Sequence, residues 1–549
     1  MPHLYFRLGK PCDLVNVRMS SHIYKEYNVQ DSTWYVIAMI VYLLAMAAIG
    51  YWSYKQTDQY DDYVLGGRGL HPFVAALSAG ASDMSGWLLM GLPGALFLSG
   101  MSELWMAIGL LVGCWANWKW VAPRLRSYSE IAANSITVPS FFENRLHDKS
   151  RLLRIISAAI IIFFFTFYVS SGMVSGGRYF ESTFGGDYLT GMLVIAAVTI
   201  FYTFVGGFLA VSYTDVVQGV LMFVALMIVP IMAIVSLSDP ASIFSFASNN
   251  AYGTDGVVEN DNYFSMFAGV SAGVIIGNLA WGLGYFGQPH IVVRFMALRK
   301  PSDARQGRFY GVTWMGLSVI GAIFVALVGT VYFTQTGHSI TDQDNFETIF
   351  LDMAQAMMHP LPAGFVLTAV LAAIMSTMSS QMLVVSTSLI EDLFLIFAKK
   401  KPSEQVLINL SRTAIVAIAV IAALLAINPS DSILGLVGFA WAGFGSAFGP
   451  IVLLSLYWKR FNSTGAIAGM LTGAVVAIGW GMSPLSDVLY EMVPGFFLAL
   501  LVAVVVTKLT KEPKPEVVAE FEEATKLAKL VEKDSNLDFE EAAEKVTDK

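Results

Sequence analysis

Apolar runs of about 20 residues recur through most of the chain, and this repetition constrains the fold more than any single motif. A helix of that length crosses the hydrocarbon core of a bilayer, where every backbone polar group needs an internal partner. Only 13% of the 549 residues are charged, about half the share found in soluble domains, which excludes a soluble enzyme. We predict an all-α polytopic membrane protein with about thirteen transmembrane helices, near residues 33–54, 73–92, 97–121, 152–173, 188–207, 213–236, 264–289, 310–335, 361–388, 404–427, 431–457, 461–482 and 488–508.

Basic residues divide the predicted connections into two classes. The connections after the third, seventh and ninth helices are rich in Lys and Arg, whereas those near residues 237–262 and 336–360 contain neither. Because basic loops stay in the cytoplasm, we predict a multi-pass protein of the cell membrane with its N-terminus outside and its C-terminus inside. The predicted domains are an extracellular segment over residues 1–32, with Met19 as an alternative start, a transmembrane domain over 33–510 and a cytoplasmic tail over 511–549.

The tail is acidic and has one apolar face. After Lys511 it holds 12 acidic and 6 basic residues. Helical spacing predicts a short amphipathic helix, with its apolar face formed by Phe521, Ala524, Leu527, Ala528 and Val531. Both a solvated tail and a docked, regulatory one fit this pattern. The formal net charge of −8 for the whole chain does not favour nucleic-acid binding.

The second predicted helix is interrupted by polar and flexible residues. Residues 77–95 (LSAGASDMSGWLLMGLPGA) include Asp83, three serines and four glycines. An acid in hydrocarbon costs several kcal/mol unless it faces a polar cavity, and a broken backbone is tolerated there only beside such a cavity. We interpret this stretch as a transport site, the alternative being a kinked helix whose Asp83 is paired inside the bundle.

The seventh predicted helix is interrupted as well. It ends in WGLGYFGQPH, where three glycines and Pro289 weaken the helix beside Trp281 and Tyr285. Two broken helices at corresponding positions indicate an inverted repeat with substrate bound near the midplane. We pair helices two to six with helices seven to eleven.

The ninth predicted helix carries a cluster of hydroxyl groups. Ser376, Thr377, Ser379 and Ser380 follow Ala373 within one short stretch. Ordinary helix packing explains such small residues, and for Ser379 and Ser380 it is as good an explanation as ion binding. Neutral hard oxygen ligands opposite a broken backbone suit a weakly held monovalent cation such as Na⁺ rather than a transition metal.

Five motifs in order carry a family resemblance. They are SAGASDMSGWLLMGLPGA, YTFVGGFLAVSYTD, WGLGYFGQPHIVVRFM, LAAIMSTMSSQ and AWAGFGSAFGP, within residues 78–95, 202–215, 281–296, 371–381 and 440–450. The chain resembles the sodium/solute symporter family, and most of all its bacterial sodium/proline branch, over about residues 33–510. The resemblance implies a leucine-transporter-like fold with a five-plus-five inverted repeat, in which both broken helices are unwound at their centres.

The resemblance also implies residue roles. The Na⁺ ligands would come from Ala81, Met84, Ala373, Ser376 and Thr377. Asp83 would support high Na⁺ affinity, and Ser85 and Gly86 would lie where the ion and substrate sites meet. Proline binding would involve Tyr168, Trp281, Tyr285 and Pro289. Arg68 matches a cytoplasmic arginine linked to coupling, although a role as an interfacial anchor fits it equally well.

The implied function is Na⁺-coupled import of L-proline by alternating access. The chain would then be no enzyme, would need no cofactor beyond the co-transported Na⁺, and would work in the lipid bilayer without nucleic acid or an obligate protein partner. A symporter of the same fold for another small solute, or one driven by H⁺, is the main alternative. A receptor or channel of this fold is the third.

Overall fold

A computed structural model describes residues 29–55, 60–247, 250–253, 256–259, 262–338, 340–342, 344–400, 402–429 and 431–533. The N-terminal half contains α1 (Val29–Tyr54), α2 (Tyr60–Leu65), α3 (Pro72–Asp83), α4 (Leu92–Ser99), α5 (Leu104–Ala116), α6 (Ala122–Ile131), α7 (Val138–Arg145), α8 (Leu152–Phe184), α9 (Tyr188–Ser236) and α10 (Ser242–Ala247). An antiparallel hairpin of β1 (Asn250–Gly253) and β2 (Gly256–Glu259), absent from the sequence prediction, follows.

In the described part of the C-terminal half, every named element is a helix. This half contains α11 (Ala272–Ala280), α12 (Pro289–Met296), α13 (Asp303–Thr336), α14 (Ile349–Met357), α15 (Pro360–Thr387), α16 (Leu395–Phe397), α17 (Glu404–Ala426), α18 (Ile433–Tyr457), α19 (Ser463–Gly481), α20 (Met492–Leu509) and α21 (Pro515–Lys533). Short stretches of tighter or wider helical turn lie at Gly66–Arg68, Trp87–Gly91, Gly100–Glu103, Asn117–Val121, Trp281–Gly287, Ser388–Phe394 and Pro484–Asp487.

Ten described helical runs are long and apolar enough to cross a membrane, and two shorter apolar helices accompany them at Tyr188–Phe201 and Ala272–Gly287. The predicted all-α polytopic fold is confirmed. The count of thirteen stays a prediction, because helical runs and predicted spans do not correspond one to one. For example, one run, Trp87–Ile131, contains both the end of the second predicted span and the whole third span.

A single glycine separates the fifth and sixth predicted spans inside α9. Gly207 has φ 63° and ψ −172°, a left-handed conformation that residues with a Cβ rarely adopt. A Cβ at this position would also lie 2.7 Å from the Tyr63 ring. The chain therefore turns at Gly207 without a separate loop.

Burial places α15 and α18 at the centre of the molecule. In the most apolar 18-residue stretch of α15 and its extension to Phe397, 83% of the residues are buried, and in that of α18 the share is 89%. The corresponding shares are 28% in α1 and 33% in α20. Glycines bring α5 against the Trp281–Gly287 segment, since a Cβ on Gly113 would lie 2.2 Å from the Gly282 carbonyl oxygen. This backbone contact fixes the broken part of the seventh span against its neighbour.

The predicted amphipathic helix of the tail is confirmed as α21, which packs against α6. The five residues of its predicted apolar face are at most 7% exposed. The Phe521 ring meets the Tyr128 ring with centroids 6.2 Å apart, and the Arg145 guanidinium lies 5.0 Å from both rings. The His147 Nε2 atom and a Glu520 carboxylate oxygen lie at hydrogen-bond distance, 2.9 Å apart. Residues 515–533 therefore form a docked helix and not a solvated tail.

Leu527→Ala is expected to loosen this docking. Leu527 is 1% exposed, and truncating a buried leucine costs about 2 kcal/mol or more, or roughly thirtyfold in the undocking equilibrium. Amide hydrogen exchange in α21 should accelerate accordingly. Lys526→Ala, which changes an exposed neighbour on the same helix, is the matched control. Equal exchange in the two variants would contradict the docking.

Candidate functional site

The first break lies between α3 and the Trp87–Gly91 turn. Met84 leaves the helical conformation with φ −80° and ψ 68°, and the Ser85 amide donates back to the Asp83 carbonyl over 2.9 Å. Gly86 begins the next helical stretch, where a Cβ would lie 2.5 Å from the Ser175 hydroxyl of α8. Ser85 and Gly86 thus occupy the break itself, and only a residue without a side chain fits so close to α8.

The second break replaces regular helix between α11 and α12. Trp281–Gly287 forms tighter turns, and Gln288 is extended with φ −79° and ψ 109°. The Asn117 side chain donates to the Tyr285 carbonyl over 2.9 Å, and the Trp441 indole donates to the Trp281 carbonyl over 2.8 Å. Side chains of neighbouring helices therefore satisfy backbone oxygens that the break has freed.

The hydroxyl pair of α15 converges on the first break. The Ser376 hydroxyl lies 2.7 Å from the Ala81 carbonyl oxygen and 3.0 Å from that of Ala373, and the Thr377 hydroxyl lies 3.4 Å from the Ala81 oxygen. All four residues are at most 2% exposed. Four of the five predicted Na⁺ ligands therefore meet at one point, and the fifth, Met84, lies in the adjoining break. Their role as ligands stays a prediction.

Asp83 links the two breaks. It is 1% exposed, and its Oδ2 atom accepts a short hydrogen bond from the Tyr285 hydroxyl. Its carbonyl oxygen accepts from the Trp87 indole over 3.0 Å and from the Tyr168 hydroxyl over 3.3 Å. Among the described residues, its Oδ1 atom has no hydrogen-bond partner. One carboxylate thus ties the end of α3 to the broken part of the seventh span and keeps one oxygen unpaired.

Aromatic rings extend from this carboxylate along the second break. Tyr285 packs edge-on against Trp441 with centroids 5.1 Å apart, and Trp281 stacks on Tyr490 at 5.4 Å. We call this row of rings the aromatic wall; it consists of Tyr168, Tyr285, Trp441, Trp281 and Tyr490. Tyr168 and Tyr285 contact Asp83, whereas Trp281 lies farther along the wall. The cavity lined by Asp83 and Tyr285 measures about 10 Å³, room for about one water. An amino acid needs the helices to separate there.

Two predicted site residues lie away from this cluster. Pro289 begins α12 and lines a separate, mainly apolar cavity of about 30 Å³. Arg68 donates to the Ser129 hydroxyl over 2.9 Å, to the Met296 carbonyl over 2.7 Å and to the Ser135 carbonyl over 2.8 Å. Its guanidinium thus joins the start of the second span to the ends of the third and seventh. Their roles in proline binding and in coupling stay predictions.

The sequence interpretation assigned no role to Trp441, Tyr490 or the buried pair of Asp215 and Arg294. The Arg294 guanidinium lies 3.2 Å from Asp215 and 2.6 Å from the Ser380 hydroxyl. The Arg294 side chain as a whole is about 1% exposed. Both charged residues stand in the quoted motifs, and Asp215 also lies inside the sixth predicted span, where a charge is itself a signal of function. Nothing in the residue pattern pointed to Tyr490, which stands at the start of the last predicted span, just before α20.

Known proteins resemble this chain over most of its length. The model of the sodium:solute symporter family matches residues 63–473. The high-affinity proline transporter PutP of Bacillus subtilis (strain 168) is 50% identical over 478 residues, covering 87% of this chain and 98% of the relative. The sodium/proline symporter of Staphylococcus aureus (strain JH9) is 46% identical over 497 residues, covering 88% and 94%.

A solved structure gives the same answer for the fold. The substrate-bound, outward-open Na⁺-coupled sialic acid symporter superimposes with a TM-score of 0.73 at 18% identity, covering 88% of this chain and 99% of that one. The predicted leucine-transporter-like fold is confirmed. Since the family match spans well over half of the residues, the family resemblance is confirmed too: the chain belongs to the sodium:solute symporter family.

Proposed function

We propose that this protein imports L-proline together with Na⁺. The observation that carries the proposal is the convergence of the Ser376 and Thr377 hydroxyls on the carbonyl of Ala81, which stands two residues before Asp83. Such oxygen ligands suit a monovalent cation that must bind and leave again. The relatives named for proline transport are about half identical to this chain, and they supply the choice of substrate.

The chemistry of proline fits the neighbourhood of the two breaks. The helix that restarts at Gly86 directs its N-terminal end, and with it a partial positive charge, towards a carboxylate. Tyr168 and Tyr285 are buried beside it and offer rings to the pyrrolidine and its ammonium group. Ser85 and Gly86 then stand between the ion and the amino acid.

Asp83 supplies a physical route for coupling. Its carboxylate contacts Tyr285 of the substrate wall, and its backbone lies within the turn that presents Ala81. Na⁺ bound at this turn would stabilise the arrangement that binds proline, and linkage makes the effect reciprocal. Each inward Na⁺ gains about 2.3 kcal/mol per 100 mV of membrane potential.

The proposal includes the orientation in the cell membrane. Positively charged connections and α21 lie on the cytoplasmic side, and the N-terminal segment over residues 1–32 lies outside. The transmembrane domain over 33–510 carries transport, and α21 (Pro515–Lys533), within the tail over 511–549, docks beneath it. Proline, Na⁺ and the bilayer are the partners.

Proteoliposomes test the choice of solute and ion. Uptake of radiolabelled proline should require an inward Na⁺ gradient, and an inward H⁺ gradient without Na⁺ should drive none. Competition by a panel of unlabelled amino acids identifies the substrate. Uptake driven by H⁺ alone, or stronger competition by another solute than by proline, would favour the alternative symporters.

Trp281→Ala is expected to weaken proline binding about five- to thirtyfold. Part of the indole already packs on Tyr490 and Trp441, so its loss should remove only about 1–2 kcal/mol of contact with substrate. Proline binding at saturating Na⁺ measures the change. Substrate-free Na⁺ binding should stay near that of the parent protein. Equal losses of both affinities would indicate a packing role for Trp281.

A further inference from the structure

A basic hollow opens at the end of the molecule that carries α21. It lies between the Asn117–Val121 turn, the start of α13 and the last turns of α21. One part of about 280 Å³ is lined by Lys119, Arg305 and Arg308, and Val531 of α21 closes it. A second part of about 240 Å³ shares Lys119 and is lined by Arg124 and Lys529. The two parts adjoin along Lys119 and Pro123.

The positive charge of this hollow is not neutralised by the described part of the chain. Other basic residues of this face have acidic partners there, including Arg154, Arg299, Lys459 and Arg460. Within the described ranges, no acidic side chain lies at ion-pair distance from Lys119, Arg305 or Arg308. Lys119 and Arg305 are exposed, so the hollow presents net positive charge to an incoming anion.

Aromatic residues lie along the hollow: Trp120 and Tyr457 line its second part, and Phe309 lines an adjoining cavity that shares Ser302 and Arg305 with the first part. Trp120 is 45% exposed and Phe309 is 68% exposed, while Tyr457 packs under the Arg124 guanidinium at 4.0 Å. Exposed tryptophan and tyrosine beside basic residues are typical of the level of the lipid headgroups. A free anion in the cytosol would make no apolar contact with these rings, whereas the acyl chains of a lipid would pack against them.

We propose that this hollow binds the headgroup of diphosphatidylglycerol, the anionic phospholipid with two phosphates. Each part of the hollow would take one phosphate, with Lys119 between them, and the acyl chains would lie along Phe309 and Trp120. Basic pockets between transmembrane helices on the cytoplasmic side bind such headgroups. The inference rests on the orientation in the proposed function but needs no transport.

Lipid binding and tail docking are coupled in this arrangement. Val531 and Ala528 are buried on α21 and line the two parts of the hollow. An occupied hollow therefore favours the docked tail, and by linkage the docked tail favours the lipid.

Native mass spectrometry of the purified full-length protein in detergent tests the proposal. Diphosphatidylglycerol should bind more tightly than phosphatidylglycerol or phosphatidylcholine. Lys119→Gln with Arg305→Gln should weaken the binding of this lipid tenfold or more, since each basic residue near an anionic headgroup contributes measurably to the binding free energy. Lys119→Arg with Arg305→Lys should retain it. Lys399→Gln with Lys400→Gln removes two exposed charges elsewhere and should leave binding unchanged.

Several outcomes would overturn the proposal. They are equal losses in the two glutamine variants, no preference for the lipid with two phosphates, and displacement of the lipid by inorganic phosphate at matched concentration, which would indicate a free-anion site. Unchanged melting of the lipid-free glutamine variant excludes misfolding as the cause of weaker binding. Proline uptake by a protein that retains no lipid would contradict this proposal alone, and lipid retention without uptake would contradict only the proposed function.

Discussion

Asp83→Asn is expected to raise the Na⁺ concentration for half-maximal proline uptake about a hundredfold. The side chain keeps its size and loses the charge that a neighbouring Na⁺ would feel. Because Asp83 is buried and accepts a hydrogen bond from Tyr285, its charge is worth up to about 3 kcal/mol, close to two decades in apparent affinity. Uptake as a function of Na⁺ concentration measures the change.

Two companion variants separate charge from packing at this position. Asp83→Glu keeps the charge and should retain more transport than Asp83→Asn. Tyr285→Phe removes only the hydroxyl that donates to Asp83. Its effect should not add to that of Asp83→Asn, since both changes act on the same hydrogen bond. Normal Na⁺ dependence in Asp83→Asn would show that this carboxylate takes no part in ion coupling.

The double variant Ser376→Ala with Thr377→Ala is expected to cost a hundredfold or more in apparent Na⁺ affinity. Each hydroxyl contributes one oxygen at the Ala81 carbonyl, and about 1.4 kcal/mol per lost ligand corresponds to tenfold. The two single variants should each show about tenfold. Na⁺-dependent uptake and substrate-free Na⁺ binding should change together.

Ser386→Ala is the matched control for this pair. Ser386 is buried on the same helix, and its hydroxyl donates within the helix to the Leu383 carbonyl over 2.8 Å. The control should resemble the parent protein in Na⁺ dependence. If the control and the double variant lose equal affinity, general packing of α15 would explain the effect and the ion site would have to lie elsewhere.

Helix periodicity and composition were sufficient to predict the membrane fold, because a bilayer admits few backbone arrangements. Helix ends were less predictable. Local turns of other kinds join neighbouring helices. The turn at Asn117–Val121, for example, joins α5 to α6, so that this helical run continues to Ile131, past the predicted limit at residue 121. The reversal at Gly207 is likewise a property of one residue, which hydropathy does not record.

The candidate site was predictable where glycine and polar residues interrupt an apolar pattern. Asp83, Ser376 and Thr377 all stand out in this way, and the structure brings them to one break. The aromatic wall was only partly predictable. Trp441 and Tyr490 come from spans distant in sequence, and their stacking with Trp281 depends on tertiary packing that local patterns do not encode. The position of Pro289 in a separate cavity likewise depends on tertiary packing, so local patterns did not predict it.

The most direct test of coupled transport measures both fluxes in one preparation. Proteoliposomes receive ²²Na⁺ outside, with the membrane potential clamped, and external proline is then added. We expect proline to accelerate ²²Na⁺ entry in fixed proportion to its own uptake, and Asp83→Asn to abolish this acceleration at low Na⁺. Na⁺ entry that is unaffected by proline, in a preparation that still takes up proline, would contradict Na⁺-coupled import.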